Sequence, residues 1–212
     1  MSWAEVFKIN KNMKRSIDEQ LQDMRCLPIR VITTTGTYTP EKTGLYKVIC
    51  VGAGGNGTFV SSTIRIRGGG GGGVAIKTLK LTKGTAYNVT VSTTASFSNI
   101  LSATGGAAST DTGSAASTGG TASGGDYNFT GEAGEIFTTK DRHARGGSVG
   151  VYITELSRSH VLKTSSTIMT FSGDCLLNYG GGGISVYDIN NTSYTSTGFP
   201  AAIIIIPLEM EE

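Results

Sequence analysis

Tyr46-Lys-Val-Ile-Cys-Val51, then Gly52-Ala-Gly-Gly-Asn-Gly57, and then a run of six glycines form the stretch that decides the fold. The run consists of Gly68, Gly69, Gly70, Gly71, Gly72 and Gly73. Ordering each glycine costs about 0.5–1 kcal/mol relative to alanine, so ordering the run costs roughly 3–6 kcal/mol that other contacts must offset. Residues 64–67 and 74–81 have strand-like patterns and hold both ends of the run inside a β domain.

Two structures are compatible with this run. It could be a flexible linker, as many glycine-rich segments are. Alternatively, it could form two turns of an extended three-residue helix, about 19 Å long at ~3.1 Å per residue, that packs against other glycine segments. Residues 102–125 leave the same choice open between disorder and a shared glycine layer. The further glycines of such a layer would be 105/106, 119/120, 124/125, 146/147 and 180–183.

The composition favours β-structure. The 212 residues include 31 glycines and many serines, threonines and β-branched residues, and only 16% are charged. We expect an all-β fold, a glycine-rich, jelly-roll-like β-sandwich with possible polyglycine-helix segments, preceded by an N-terminal α-helix. The predicted strands are 45–51, 74–81, 85–91, 149–153, 167–171 and 199–207. The hydrophobic fraction of 38% is modest, which indicates added stability from backbone hydrogen bonding or from oligomerisation.

Charge and cysteine content exclude several classes of protein. The net charge of +2 is far below the basic excess of a nucleic-acid-binding domain. Cys26, Cys50 and Cys175 are widely spaced and odd in number, which indicates neither a disulfide framework nor a zinc site. The sequence predicts no signal peptide, no membrane span and folding in a cytoplasm. It also predicts no cofactor and no bound metal.

The first 27 residues are predicted to form a separate unit, followed by a glycine-rich β domain at 28–212. Residues 2–25 carry an amphipathic helical pattern. The helix could pack on its own β domain or pair with copies of itself, and we favour self-association into a homotrimer. Its predicted trimerisation and attachment residues are Trp3, Val6, Met13, Ile17, Leu21 and Met24.

Two polar loops, 126–145 and 187–194, gather aromatic, amide and charged side chains that a scaffold does not require. Saccharides are commonly held by aromatic faces beside planar amide or carboxylate groups, and recognition is carried by loops more often than by strands. The candidate receptor-binding residues are therefore Tyr127, Asn128, Phe129, Asp141, Arg142, Tyr187, Asp188, Asn190 and Tyr194. The alternative is that the aromatic residues are core positions of strands.

Enzymatic interpretations have weaker support. Residues 52–57 match G-x-G-x-x-G after a strand, but no helix pattern follows and no acid appears before Asp111, so a dinucleotide site is not predicted. A glycosidase would need two carboxylates, which Glu132 with Glu135 or Asp126 with Asp141 could supply. Carboxylates in a polar loop are usually solvated surface. The two histidines, at 143 and 160, lack the spacing of a metal site or a triad. We predict that the protein is not an enzyme.

The order of the glycine-rich and strand-like motifs along the chain is a more specific signal than any single motif. Residues 35–55, the run Gly68–Gly73, the strand at 83–91 and Thr-Gly-Gly at 104–106 together resemble the glycine-rich domain of bacteriophage and prophage tail-fibre proteins. The similarity covers residues 33–206, and the opening helix is similar to the N-terminal segment of tail-fibre and tail-tip proteins from prophages of Gram-positive bacteria. It implies a trimeric virion component, with the N terminus toward the particle, joined there to other tail or baseplate proteins, and the glycine-rich part outward. A tail component would be assembled in the host cytoplasm and contact a surface polysaccharide or surface protein. The rival is a purely structural fibre or baseplate part.

Overall fold

A computed structural model describes residues 27–60, 65–110, 116–138, 142–149, 160–164, 167–171, 179–183, 185–187 and 193–211. Within these residues the chain forms β-strands and no helix. The strands are β1 (Arg30–Ile32), β2 (Gly36–Tyr38), β3 (Gly44–Val51), β4 (Thr58–Val60), β5 (Arg65–Arg67), β6 (Val74–Leu81), β7 (Tyr87–Val91), β8 (Ala95–Phe97), β9 (Leu101–Ala103), β10 (Ala122–Ser123), β11 (Tyr127–Phe129), β12 (Ile136–Phe137), β13 (Arg142–Ala144), β14 (His160–Thr164), β15 (Thr167–Phe171), β16 (Ser185–Tyr187), β17 (Ser193–Thr195) and β18 (Ala202–Met210).

The predicted fold class needs correction. The expectation of an α-helix followed by a jelly-roll-like sandwich is wrong for the described chain, which is all-β without a helix. Residues 1–26, on which the helix and its seam residues Trp3, Val6, Met13, Ile17, Leu21 and Met24 were placed, lie outside the described residues. The strand order also departs from a jelly roll, because the consecutive strands β7, β8, β9 and β10 are neighbours in one sheet. Short connections join β7 to β8 and β8 to β9, and a long connection joins β9 to β10.

Two five-stranded antiparallel sheets form a sandwich. Sheet A has the order β1-β18-β3-β6-β11, and sheet B has the order β10-β9-β8-β7-β2. The central strand β3 pairs along its whole length with β18 on one side and β6 on the other. Strand β6 spans the predicted residues 74–81, whereas β18 begins three residues later than predicted and continues to Met210.

The sandwich core lies between the facing sides of the two sheets. Alternate residues of β3 point into it, so Tyr46, Val48 and Cys50 are fully buried. They pack against Phe97 and Leu101 of sheet B, and the Tyr46 hydroxyl donates to the carbonyl of Lys42 at 2.7 Å. Burial raises the pKa of the Cys50 thiol to about 12, so this cysteine behaves as a small apolar core residue.

Next to the sandwich, Gly68–Gly73 forms the centre of a bundle of extended segments. The N–H groups of Gly68 and Gly71 donate to one neighbouring segment, those of Gly69 and Gly72 to a second, and those of Gly70 and Gly73 to a third. The acceptors are the carbonyls of Glu135 and Glu132, Gly183 and Gly180, and Ala107 and Thr104, at 2.7–3.0 Å. A repeat of three residues is that of an extended polyproline-II-type helix. The acceptor numbers fall as the donor numbers rise, so these three neighbours run antiparallel to the central run.

Three more segments complete a ring around the run. They donate to its carbonyls, from Gly147 to Gly69, from Gly55 to Gly70 and from Gly120 to Gly71, each at 2.8 Å. The six outer segments also bond to one another in sequence around the run. These bonds are Thr104 N to Thr121 O, Gly131 N to Gly120 O, Glu132 N to Ser148 O, Gly182 N to Gly147 O, Gly183 N to Gly55 O and Gly106 N to Ala53 O. We call segments 52–57, 68–73, 104–109, 116–121, 130–135, 145–149 and 180–183 the glycine bundle.

Close approach is what requires glycine in the central run. A Cβ added at any of its six positions would lie closer than 3.0 Å to a backbone carbonyl oxygen of a neighbouring segment. The positive φ angles of described glycines are at Gly84, Gly124 and Gly180, outside the run, so its backbone angles do not demand glycine. The bundle is therefore held mainly by backbone hydrogen bonds between chains that pack without side chains.

The sandwich and the bundle give the molecule two distinct ends. Val51 of β3 leads directly into Gly52 of the bundle, whereas the other end of β3, Gly44, pairs with Met210. We call this far end of the sandwich the base. Strand β1 runs from Arg30, opposite Ile205, toward the bundle, so the chain enters the described structure from the side of the base.

Candidate functional site

Four loops lie at the end of the bundle away from the sandwich. Each loop connects a bundle segment that leaves the sandwich to a segment that returns to it. The last one returns through residues 196–200, which bond to the bundle through Gly57 N to Ser196 O and Gly54 N to Phe199 O. The described residues of these loops, which we call the tip, are 58–60, 65–67, 110, 136–138, 142–144, 185–187 and 193–195.

Two small sheets hold the tip together. One has the order β12-β5-β4 and the other β13-β16-β17. They meet at a small core in which Ile66 and Ala144 are fully buried against Phe59 and Phe137. Because each loop starts and ends on hydrogen-bonded bundle segments, the tip is mounted on a rigid support rather than on a flexible stalk.

Hydrogen bonds of polar side chains connect the bundle to the tip. Arg67 is 2% exposed, and its guanidinium donates to the carbonyl of Thr110. Asn56 accepts a hydrogen bond from the amide of Gly198 at 3.0 Å, and its carbonyl accepts one from the amide of Ser109 at 2.9 Å. The Thr58 hydroxyl donates to the Ser109 carbonyl at 2.8 Å. These bonds tie the two loops that contain Thr58, Arg67 and Thr110 to each other and to the bundle, and they tie the return segment 196–200 to Asn56.

The structure places part of the predicted receptor-binding set at the tip. In the second small sheet Arg142 lies opposite Tyr187, and Tyr194 lies opposite Val186 on the other side of β16. Arg142 and Tyr187, from two loops that are distant in sequence, therefore share one face of this sheet, whereas Tyr194 is in the adjacent row and belongs to the other face. Asp141, Asp188 and Asn190 were predicted in the same set and lie outside the described residues.

The other part of the set lies elsewhere. Tyr127, Asn128 and Phe129 form β11 at the edge of sheet A, where they pair with residues 74–76 of β6. Tyr127 is 66% exposed, whereas the Asn128 side chain bonds to both the N–H and the carbonyl of Gly125. Phe129 packs on the outer face of the sheet. The bundle, about 19 Å long at ~3.1 Å per residue, separates these residues from the tip.

Sequence reasoning missed two parts of the tip, the loop that contains residues 58–60 and 65–67 and the loop that begins at Thr110. Neither loop has the aromatic and amide composition that identified the other two. The available signal was positional, since each loop lies between two segments rich in glycine or small residues, as the two predicted loops do. A pattern of paired glycine segments therefore indicates tip loops better than loop composition does.

The carboxylates considered for glycan hydrolysis have structural partners. Glu135 accepts the amide of Arg145 at 3.0 Å, and Glu132 accepts the amide of Ser148 at 3.4 Å, both from the neighbouring bundle segment. Asp126 accepts the amide of Thr78 and pairs with Lys77, each at 3.1 Å. The amide of Thr78, followed by Lys77, lowers the pKa of Asp126. Its proposed partner Asp141 lies outside the described residues.

A groove of about 340 Å³ lies beside the edge strands β1 and β2. Its lining includes Leu27, Ile32, Tyr38 and the exposed ion pair of Arg30 with Glu41, at 3.0 Å. Burial, followed by the neighbouring Tyr46, raises the pKa of Tyr38 to about 12. The groove belongs to the sandwich and does not include the tip.

Two further features are absent from the described residues. No group of three or more His, Cys, Asp or Glu side chains that could hold a metal ion occurs in this part of the chain. Nor does any helix there have the length and apolar character needed to span a membrane. A scan against protein-family models matches no family, and a search of curated proteins finds no match.

Proposed function

We propose that the protein is a non-enzymatic tail-fibre or tail-tip component of a bacteriophage or phage-tail-like particle that attaches to the bacterial surface through its tip. The observation that carries the proposal is the polarity of the molecule. The chain enters on the side of the base, and four loops are presented together at the opposite end of a rigid bundle. An adhesive part of a particle needs this separation between an attachment end and a recognition end.

The tip has features of a recognition surface. Loops on a rigid scaffold are the usual location of binding residues, because the scaffold fixes them without restricting their sequence. The second small sheet places an arginine and two tyrosines on its three adjacent strands, with Arg142 and Tyr187 in one row. Aromatic rings and planar cationic groups suit a surface polysaccharide, and they also suit a surface protein. The particle would be joined at the base, and the mature protein would be located in the virion.

We also propose that the protein acts as a homotrimer. The modest apolar content and the resemblance to tail-fibre domains support this assembly. Sedimentation of the purified chain should give about three times 22.0 kDa. A monomer at micromolar concentration would contradict it.

A cell-binding experiment tests the adhesive role. Labelled protein is incubated with intact host cells and with isolated wall polysaccharide, beside a tip variant carrying Tyr187→Ala and Tyr194→Ala. Tyr127→Ala is the matched control, because Tyr127 is an exposed tyrosine that lies on the sandwich instead of the tip. We expect saturable binding that the tip variant loses and the control retains.

The other outcomes separate the rival functions. No binding by the correctly folded wild-type protein would favour a purely structural fibre or baseplate part. Loss of binding in the Tyr127 control, with the tip variant unaffected, would move the recognition surface to the sandwich. Release of soluble sugar during the incubation would contradict the absence of enzymatic activity.

A further inference from the structure

The groove beside β1 and β2 separates the two sheets along one side of the sandwich. Strand β1 is an edge strand of sheet A, and β2 is an edge strand of sheet B. Among the described strands, β1 pairs with β18 alone and β2 with β7 alone. Each of them therefore presents one row of backbone N–H and carbonyl groups that no described strand takes up. The groove is bordered by two sheet edges to which a further piece of chain can bind.

The floor of the groove is apolar. Ile32 and Tyr38 line it and pack against the sandwich core, and Val89, which is 2% exposed, belongs to that core. The two charged residues of the lining, Arg30 and Glu41, are paired with each other at 3.0 Å. Because these charges compensate each other, the groove does not select an ionic ligand. Apolar side chains on an extended backbone suit this lining better.

The chain turns toward this groove just before β1. Side chains alternate between the two faces of a strand, and Ile29 and Val31 are 59% and 44% exposed. Continued alternation would place Leu27 on the same exposed face. Leu27 instead packs against the sandwich core and lines the groove. The change occurs at Pro28, whose ring fixes the backbone and which also lines the groove. The chain therefore reaches β1 from the groove.

Residues 1–26, which we call the entry segment, directly precede Leu27 and lie outside the described residues. The last part of this segment, 17–26, contains Ile17, Leu21 and Met24 among polar residues. Burial of these apolar side chains on the groove floor is favourable, and the polar residues between them can remain in water.

The covalent link through Leu27 favours the chain's own entry segment over that of a second copy. A segment joined by a short tether has an effective concentration of the order of millimolar at the neighbouring groove. Free copies at micromolar concentration compete with it at a roughly thousandfold disadvantage. A contact too weak to hold two separate chains together is therefore sufficient within one chain.

We infer that the entry segment docks in the groove of its own chain and covers the open side of the sandwich between β1 and β2. This contact goes beyond the proposed function, and it neither requires nor prevents association of copies through other surfaces. Docking fixes the direction in which the chain leaves the base. In a tail component, a consequence that rests on the proposed function, it would set the direction of the tip relative to the particle.

Hydrogen exchange of the full chain tests the docking. Backbone amides of residues 17–26 are followed by mass spectrometry in the wild type, in Val31→Asp at the groove and in Ile100→Asp. Ile100 is the matched control, because it is 39% exposed in the turn between β8 and β9 and does not line the groove. We expect these amides to be protected in the wild type and the control and to exchange at least about tenfold faster in Val31→Asp. Equal protection in all three proteins, or no protection in the wild type, would overturn the docking.

Cross-linking locates the segment without a substitution in the groove floor. In a background with Cys26→Ser and Cys175→Ser, Leu21→Cys is combined with either Thr37→Cys on β2 or Ser123→Cys on β10. Thr37 and Ser123 are both exposed and lie on opposite edges of sheet B, and of the two Thr37 lines the groove. Mild oxidation should form an intramolecular disulfide at least about tenfold faster in the Thr37 pair than in the Ser123 pair.

The other outcomes of the cross-linking contradict the docking in different ways. Equal rates of disulfide formation in the two pairs would show that the segment does not stay at the groove. Disulfide-linked dimers of the Thr37 pair on a denaturing gel would place the segment of a second copy in the groove and overturn docking within one chain. Neither result changes the expected loss of cell binding in the tip variant, so the docking and the adhesive role fail separately.

Discussion

Replacement of Gly70 by alanine is the sharpest test of the glycine bundle. Gly70 is buried, its N–H donates to Ala107 O at 3.0 Å, and its carbonyl accepts from Gly55 N at 2.8 Å. An added Cβ would lie closer than 3.0 Å to the backbone carbonyl of Thr118, which is itself fixed by the amide of Ala107. The neighbouring segments can make room only by lengthening hydrogen bonds in the ring.

The size of the effect follows from the groups involved. Overpacking a close contact costs about 1–3 kcal/mol. Each buried backbone hydrogen bond that is broken adds roughly 1–3 kcal/mol to the loss of stability. Alanine recovers only about 0.4–1 kcal/mol through the reduced entropy of its unfolded chain. With one ring hydrogen bond lost, we expect Gly70→Ala to lower the free energy of unfolding by about 1–5 kcal/mol. At ~2–4 °C per kcal/mol for a chain of this size, Tm should fall by roughly 2–20 °C.

Thermal unfolding followed by circular dichroism, at one fixed protein concentration, measures this loss. The matched control is Gly36→Ala in β2, where an added Cβ has no atom within 4 Å. The control should leave Tm unchanged or raise it slightly. Equal melting temperatures for the two variants would refute tight packing and restore a flexible linker at 68–73.

Three further outcomes follow from individual groups. Because the pKa of Asp126 is lowered, its native contacts stabilise the protein above the ordinary pKa of 3.8, and this contribution is lost as the pH falls through the lowered value. Asp126→Asn should therefore reduce the fall of Tm in acid. An acid profile of Tm identical to that of the wild type would contradict the role of the carboxylate. Because the pKa of Tyr38 is raised to about 12 in the folded protein, the stability that its neutral form contributes is present below pH 10 and is lost as the pH rises toward 12. Tyr38→Phe should therefore reduce the fall of Tm over that range. Identical alkaline profiles of Tm for variant and wild type would contradict the burial of this hydroxyl. Cys50 is fully buried and has a pKa of about 12, so its thiol should react with a thiol reagent at pH 8 only as fast as the protein opens. The labelling rate is measured in a Cys26→Ser, Cys175→Ser background, so that Cys50 is the thiol that reacts. Rapid labelling without denaturant would contradict a closed core.

Local sequence patterns were sufficient for the central strands. Leu45–Val51 and Val74–Leu81 contain alternating or continuous apolar residues, and the structure pairs them in register as β3 and β6. The apolar character of β3 on both faces also followed from its composition alone. Strand ends were less accurate, because β18 continues through Pro207 and a bulge to Met210, where pairing with β3 outweighs the low strand propensity of proline.

The sequence by itself determined an all-β chain, its central strands and an anchored glycine run whose ordering other contacts must offset. Only the tertiary structure decided which segments surround that run, because pairs such as Gly68 with Glu135 and Gly69 with Gly183 are far apart in sequence and meet through backbone atoms alone. Side-chain patterns carry no information about such contacts. For the same reason the sequence grouped Tyr127 with Arg142 in one loop, whereas the fold places Tyr127 on the sandwich and Arg142 at the tip, with the length of the bundle between them.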